Sequence, residues 1–284
     1  MRWRGGERSG NIDDRRGMGP VGAVGGVSVV GILVALAGVF FFGMDPQDAA
    51  NVAGQVGPAT QEQQAGKTGS PEDEAGAFVD VIETSTTQVW TELFAKRGEQ
   101  YRPPEDVVIY DQATGTACGT GQTAMGPFYC PGDHKVYLDL AFWQELESQF
   151  GAKGEFARAY VIAHEVGHHV QSLLGTIDRG RAGARGAESG SVRVELQADC
   201  YAGVWAANAE RVSGGRIALD PGDLEDGLGA AASVGDDTIQ RRTQGRVVPD
   251  AFTHGSAEQR MRWFRRGYET GAIDSCDTFS AARL

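Results

Sequence analysis

The first long departure from mixed polarity in this chain is the stretch 19–43, which runs without a charged residue. As a helix it would measure roughly 37 Å, enough to cross a hydrocarbon core of about 30 Å, and it predicts one transmembrane helix. A cleaved signal peptide is the competing reading, but its apolar region is normally about 7 to 15 residues. From 44 to 76 large apolar residues almost vanish among Gln, Ala, Gly, Pro, Thr and acids, the pattern of a disordered linker. Helical spacing begins at Phe78 and continues through Val81, Ile82, Val89, Leu93 and Phe94 around Trp90. Residues 107–110 and 135–140 read as strands, the second leading into a helix through Trp143, Leu146 and Phe150. Two more helical patterns follow, one through Phe156, Tyr160, Val161, Ile162, Val166 and Val170, the other from Glu195 through Ala202, Val204 and Trp205. Further helices are expected after Pro221, through Leu224 and Leu228, and over 257–268. The set predicts one α+β domain at 77–284, rich in helix and with a small sheet.

Charge adds an orientation. Arg2, Arg4, Arg8, Arg15 and Arg16 precede the apolar stretch, whereas Asp45 and Asp48 follow it. The positive-inside tendency therefore places residues 1–18 in the cytoplasm and 77–284 outside, on a single-pass protein of the cell membrane. A net charge of -12 is a poor match for phosphate backbones, which excludes nucleic acid as the expected partner. Outside the cytoplasm, four cysteines point to disulfides rather than a thiolate metal site. Of the three pairings, the expected one joins Cys118 to Cys130, closing a loop rich in Gly and Thr, and Cys200 to Cys276, tying the tail to the helix of Glu195.

The chemistry concentrates in His164-Glu165-Val166-Gly167-His168. On a helix His164 and His168 lie about 40° apart around the axis and one turn above each other, which suits two ligands of one zinc ion. His169 falls about 140° from His164 and is read as facing elsewhere. A catalytic zinc keeps three protein ligands and an open position for water, and a carboxylate beside it, here Glu165, can take the proton as water attacks a carbonyl. Glu195 is the candidate third ligand. Asp199, one turn further on, is placed to accept a hydrogen bond from the distal nitrogen of a ligating histidine.

HEVGHHVQ, followed by ELQADC and FTHGSAEQR, resembles the neutral zinc metallopeptidase family of bacterial membrane-anchored proteins. The resemblance extends to the opening MRWRGGERSGNIDDRRG, to ACGTGQTAMGPFYCPGDHKVYLDLAFW, and to RWFRRGYETG with CDTF. The pairing of HExxH with ExxxD is similar to the glutamate-zincin group. This implies a zincin-like domain with one Zn2+, His164, His168 and Glu195 as ligands, Glu165 as base and Asp199 behind the metal. His254 then becomes a candidate oxyanion donor and Arg260 a helper or carboxylate binder. His134 is expected at a surface turn. The strand at 135–140 is the candidate edge against which an extended substrate pairs. The expected function is a membrane-tethered endopeptidase cleaving proteins or peptides by metal-activated water. The alternatives are a non-catalytic, zinc-stabilised envelope scaffold and a cell-wall amidase. Substrate preference and oligomeric state are not legible.

Overall fold

The computed structural model describes residues 1–18, 66–148, 151–152, 154–180 and 185–284. Its main sheet has five strands, β1 (Ile12–Asp14), β2 (Lys67–Thr68), β3 (Val107–Tyr110), β6 (Phe128–Cys130) and β7 (Lys135–Asp139), in the order β2-β1-β3-β7-β6. β3 lies parallel to both β1 and β7, while β2 and β6 run antiparallel to their neighbours at the two edges. Strands β4 (Ala113–Thr116) and β5 (Gly119–Gln122) form a separate antiparallel pair. The strands rich in Val, Ile and Tyr are buried on both faces, as in β3, where the exposure of every residue is 1% or less.

Seven α-helices among the described residues supply the rest. They are α1 (Glu74–Lys96), α2 (Phe142–Ser148), α3 (Glu155–Leu173), α4 (Gly190–Val212), α5 (Asp223–Ser233), α6 (Asp236–Gln244) and α7 (Ala257–Thr270). Side-chain caps start three of them: Asp73 on α1, Ser189 on α4, and Ser256 with Gln259 as a capping box on α7. The core between α1, α3, α4 and α7 is aromatic. Trp90, Phe156, Tyr160, Trp205 and Phe264 are fully buried, and Phe156 stacks on Trp205 at 6.1 Å. Each such side chain contributes about 1.5–3 kcal/mol through burial.

Two contacts between backbones set how the helices lie. A Cβ on Gly203 of α4 would stand 2.1 Å from the carbonyl oxygen of Phe264, and one on Gly267 of α7 would stand 1.9 Å from that of Cys200. The two helices thus touch main chain to main chain, and the Cys200–Cys276 disulfide fastens the tail beside this crossing. The Cys118–Cys130 disulfide is also formed, so both pairs match the expected connectivity.

The N-terminal head departs from the sequence reading. Residues 1–18 are not a separate segment but part of the domain: Ile12 is fully buried, Trp3 is 5% exposed, and β1 sits between β2 and β3. The arginines that suggested a cytoplasmic head pair with carboxylates, Arg2 and Arg4 at the surface and Arg15 in the interior. Arg15 donates to Asp13 at 2.8 and 2.9 Å, and both are 5% exposed. The expected linker also ends early, because Lys67–Thr68 is a strand and α1 begins at Glu74. Among the described residues no helix is long and apolar enough to cross a membrane. The stretch 19–43 expected to do so lies outside the described residues.

Candidate metal centre

α3 and α4 meet at Gly167, where an added Cβ would stand 3.0 Å from the carbonyl oxygen of Ala198. That close approach carries Glu195 of α4 up to the two imidazoles of α3. Donor atoms of His164, His168 and Glu195 all fall within 4.8 Å of one another. Glu195 Oε2 is 3.3 Å from His164 Nε2, and Oε1 is 3.7 Å from His168 Nε2. Ligand atoms on a tetrahedral zinc with bonds of about 2.0–2.1 Å stand about 3.3–3.4 Å apart, so the spacing fits the ion.

The other nitrogen of each ring is already committed. His164 Nδ1 donates to Asp199 Oδ1 at 2.9 Å, and His168 Nδ1 donates to the Gln171 side-chain oxygen at 2.8 Å. Both Nε2 atoms are thereby presented to the same point as the metal-binding tautomer. Gln171 is itself held, donating to the Val194 carbonyl at 2.7 Å and to Gln197 at 3.0 Å. Gln197 in turn donates to the carbonyl of Cys276 at 3.0 Å. Asp199 is fully buried and takes a bidentate pair from Arg260 at 2.8 and 2.9 Å, along with the Tyr160 hydroxyl.

Electrostatics follow from this packing. Burial works against charge on Asp199, but the Arg260 cation and the His164 hydrogen bond outweigh it and hold its pKa down at about 2. Burial likewise opposes charge on His164, and the Asp199 hydrogen bond overcomes it, raising the imidazole to about 10 before any metal is bound. Glu195 lies well below the usual carboxylate range, since the two histidines outweigh its burial. A metal ion would replace the proton on His164 as the group that balances these carboxylates.

His164, His168 and Glu195 line a cleft of about 690 Å³, within the range of ligand-binding sites. Glu165 is 7% exposed and faces it, next to the ligands. His254 reaches it from the turn before α7. Asp236 at the start of α6 fixes that turn, accepting from the backbone amides of Thr253, His254 and Gly255 at 2.7, 2.7 and 3.0 Å. His254 Nδ1 lies 3.3 Å from the same carboxylate, which raises its pKa against the effect of burial and leaves Nε2 as the nitrogen available to the cleft.

Arg260 lines the cleft floor but is committed to Asp199, so it supports the centre from behind rather than waiting for a substrate carboxylate. His169 points elsewhere, as its helical angle requires: Nε2 donates to the Arg102 carbonyl at 2.7 Å, and Nδ1 meets the Tyr129 hydroxyl at 3.2 Å. His134 sits exposed in a turn with φ of 56°. The strand β7 is not the sheet edge, because β3 and β6 flank it. The edge is β6, and Phe128, Tyr129, Gly126 and Pro127 put it on the cleft wall. Sequence reasoning missed Tyr160, Gln171 and Gln197. Gln171 had a usable signal, standing three residues after His168 on the same face.

A family model described as "Putative neutral zinc metallopeptidase" matches residues 1–279. An uncharacterised protein of Escherichia coli K12, YpfJ, is 42% identical over 294 residues, covering 98% of this chain and 99% of the relative. Uncharacterised proteins of Mycobacterium tuberculosis H37Rv (Rv2575) and Mycobacterium bovis (Mb2605) are each 53% identical over 183 residues, covering 62% of both chains. No solved structure matches the chain.

Proposed function

The chain belongs to the neutral zinc metallopeptidase family, and from that premise we propose that it is a zinc-dependent endopeptidase in which Glu165 is the general base. The observation that carries the reading is the convergence of His164 Nε2, His168 Nε2 and a Glu195 carboxylate oxygen within 4.8 Å, beside a second, uncommitted carboxylate in an open cleft. When bound, zinc supplies Lewis acidity that polarises water and a substrate carbonyl. Glu165 accepts the proton of the attacking water and passes it to the leaving amine. His254, oriented through Nδ1 by Asp236, donates from Nε2 to the oxygen of the tetrahedral intermediate. Asp199, clamped by Arg260 and Tyr160, keeps His164 in the ligating tautomer. An extended peptide lies along β6, whose outer edge faces the cleft. Two disulfides support a site of action in an oxidising compartment outside the cytoplasm, and the apolar stretch 19–43 supports association with its membrane.

The test is Glu165→Gln. It keeps the size and the metal donors, so bound zinc should stay at the wild-type level while cleavage of unfolded casein falls by at least about 10²–10⁴-fold. Cleavage at the wild-type rate would remove Glu165 from this role.

A further inference from the structure

We propose that residues 1–18 and the catalytic domain lie on the same side of the membrane, so that the apolar stretch between them is not a single-pass anchor with the N-terminus across the bilayer. The ladder between β1 and β2 carries this. Asp13 pairs with Thr68 and Asp14 with Lys67 in antiparallel register. Neighbouring strands are about 4.8 Å apart, so Asp14 and Lys67, on either side of the apolar stretch in sequence, lie next to each other in the same sheet. One crossing of a bilayer cannot return a chain to its origin. Nor can a second crossing restore it, because 19–43 holds 25 residues and each passage takes about 20.

The docking of the head is chemically specific, not a loose contact. On α1, Asp80 and Glu83 are buried to 0% and 1% exposure, and the head supplies their partners. Asp80 accepts from Arg8 Nε at 3.2 Å, from the Gly10 amide at 3.0 Å and from the Ser9 hydroxyl at 3.5 Å. Ser9 also donates to Glu83 at 2.8 Å, and its amide donates to Thr84. Arg16 bridges Asp14 and Asp73, the cap of α1. With the head across a bilayer, Asp80 would lose the Arg8 cation and keep the Ser70 hydroxyl, while Ile12 and β3 would be uncovered. The five arginines that suggest a cytoplasmic head are the groups that dock it.

All four native cysteines are in disulfides, so an introduced cysteine is the only free thiol. The full chain carrying Arg4→Cys or Glu7→Cys in the head, 66% and 53% exposed, is compared with Glu210→Cys in α4, 62% exposed. Intact cells are treated with a membrane-impermeant maleimide, and permeabilised cells provide the full signal. The proposal predicts that head and α4 thiols behave alike, all modified or all protected, before permeabilisation. Modification at position 210 with protection at 4 and 7, or the reverse, overturns it. Docking is read independently in a Glu7→Cys, Gln88→Cys chain treated with a short bis-maleimide, which bridges two cysteines set apart by the length of the hydrogen-bonded Glu7 and Gln88 side chains they replace. A 7–88 cross-link in the non-reducing peptide map is expected, and two uncross-linked thiols in the membrane-bound protein overturn the proposal.

Discussion

Asp199 has no exposed surface, yet it is held ionised, because Arg260 meets it with both Nε and a terminal guanidinium nitrogen while His164 donates to one of its oxygens. Replacing it with Asn leaves the shape and removes the charge that orders this cluster. Asp199→Asn should lower zinc affinity about 10–100-fold, measured by competition with a chromophoric chelator, and unchanged affinity would deny it the role. The ligands themselves were legible because HExxH is local, fixed by one helical turn. Tyr160 was not, and Arg260 was read as a helper or carboxylate binder without its partner, since their contacts with Asp199 span 39 and 61 residues and depend on how three helices cross. His169 gives a test of pH dependence. Burial lowers its pKa to about 4, against an ordinary value of 6.5. Between these values the unfolded chain binds a proton that the folded chain does not, so stability is lost as pH falls from about 6.5 to 4, by about 3 kcal/mol from this group. Urea unfolding of wild type and His169→Gln at pH 7 and pH 4 should show a smaller acid loss in the variant. Parallel losses would show that the buried ring is not the source.

At the scale of elements, helices with apolar stripes were readable, the short α2 among them, and a polar one was not. α3, α4, α5 and α7 appear within a few residues of their expected positions. α6, Asp-Asp-Thr-Ile-Gln-Arg-Arg-Thr-Gln, has no apolar stripe; its acids at the first turn and arginines at the last suit the helix dipole instead. β1 went unseen because a three-residue strand with two aspartates shows no alternation, and its burial relies on the pairing of Asp13 with Arg15 rather than on hydrophobicity. β7 was found, but its rank in the sheet was not, since β6 is only three residues long and continues from a Gly-Pro turn. The crossing of α4 and α7 yields a sharp prediction. A methyl at Gly203 collides with a main-chain oxygen that no rotamer change can move. Gly203→Ala should destabilise the domain by about 3 kcal/mol or more, seen as a lower denaturation midpoint. A midpoint within error of wild type would mean that the helices are not in backbone contact.

Across the whole molecule, the site depends on parts of the chain that the motif does not touch. α3 and α4 supply the three candidate ligands, α7 and the turn before it supply Arg260 and His254, and the Cys200–Cys276 bridge, spanning 76 residues, holds the tail whose carbonyl anchors Gln197. By the loop-closure argument such a bridge stabilises the fold by about 4 kcal/mol through the limit it sets on the unfolded chain. The head completes the same body through β1, whose Ile12 and Asp13 are buried against β3, so residues 1–18 pack as part of the domain. The most direct test of the account is the metal content of the purified full chain and of Glu195→Gln, determined by elemental mass spectrometry after equilibration with limiting zinc. The account predicts about one zinc per folded wild-type chain and a large loss in the variant at equal fold content. A folded wild-type chain that takes up no zinc, or a variant that holds it as tightly, would contradict it.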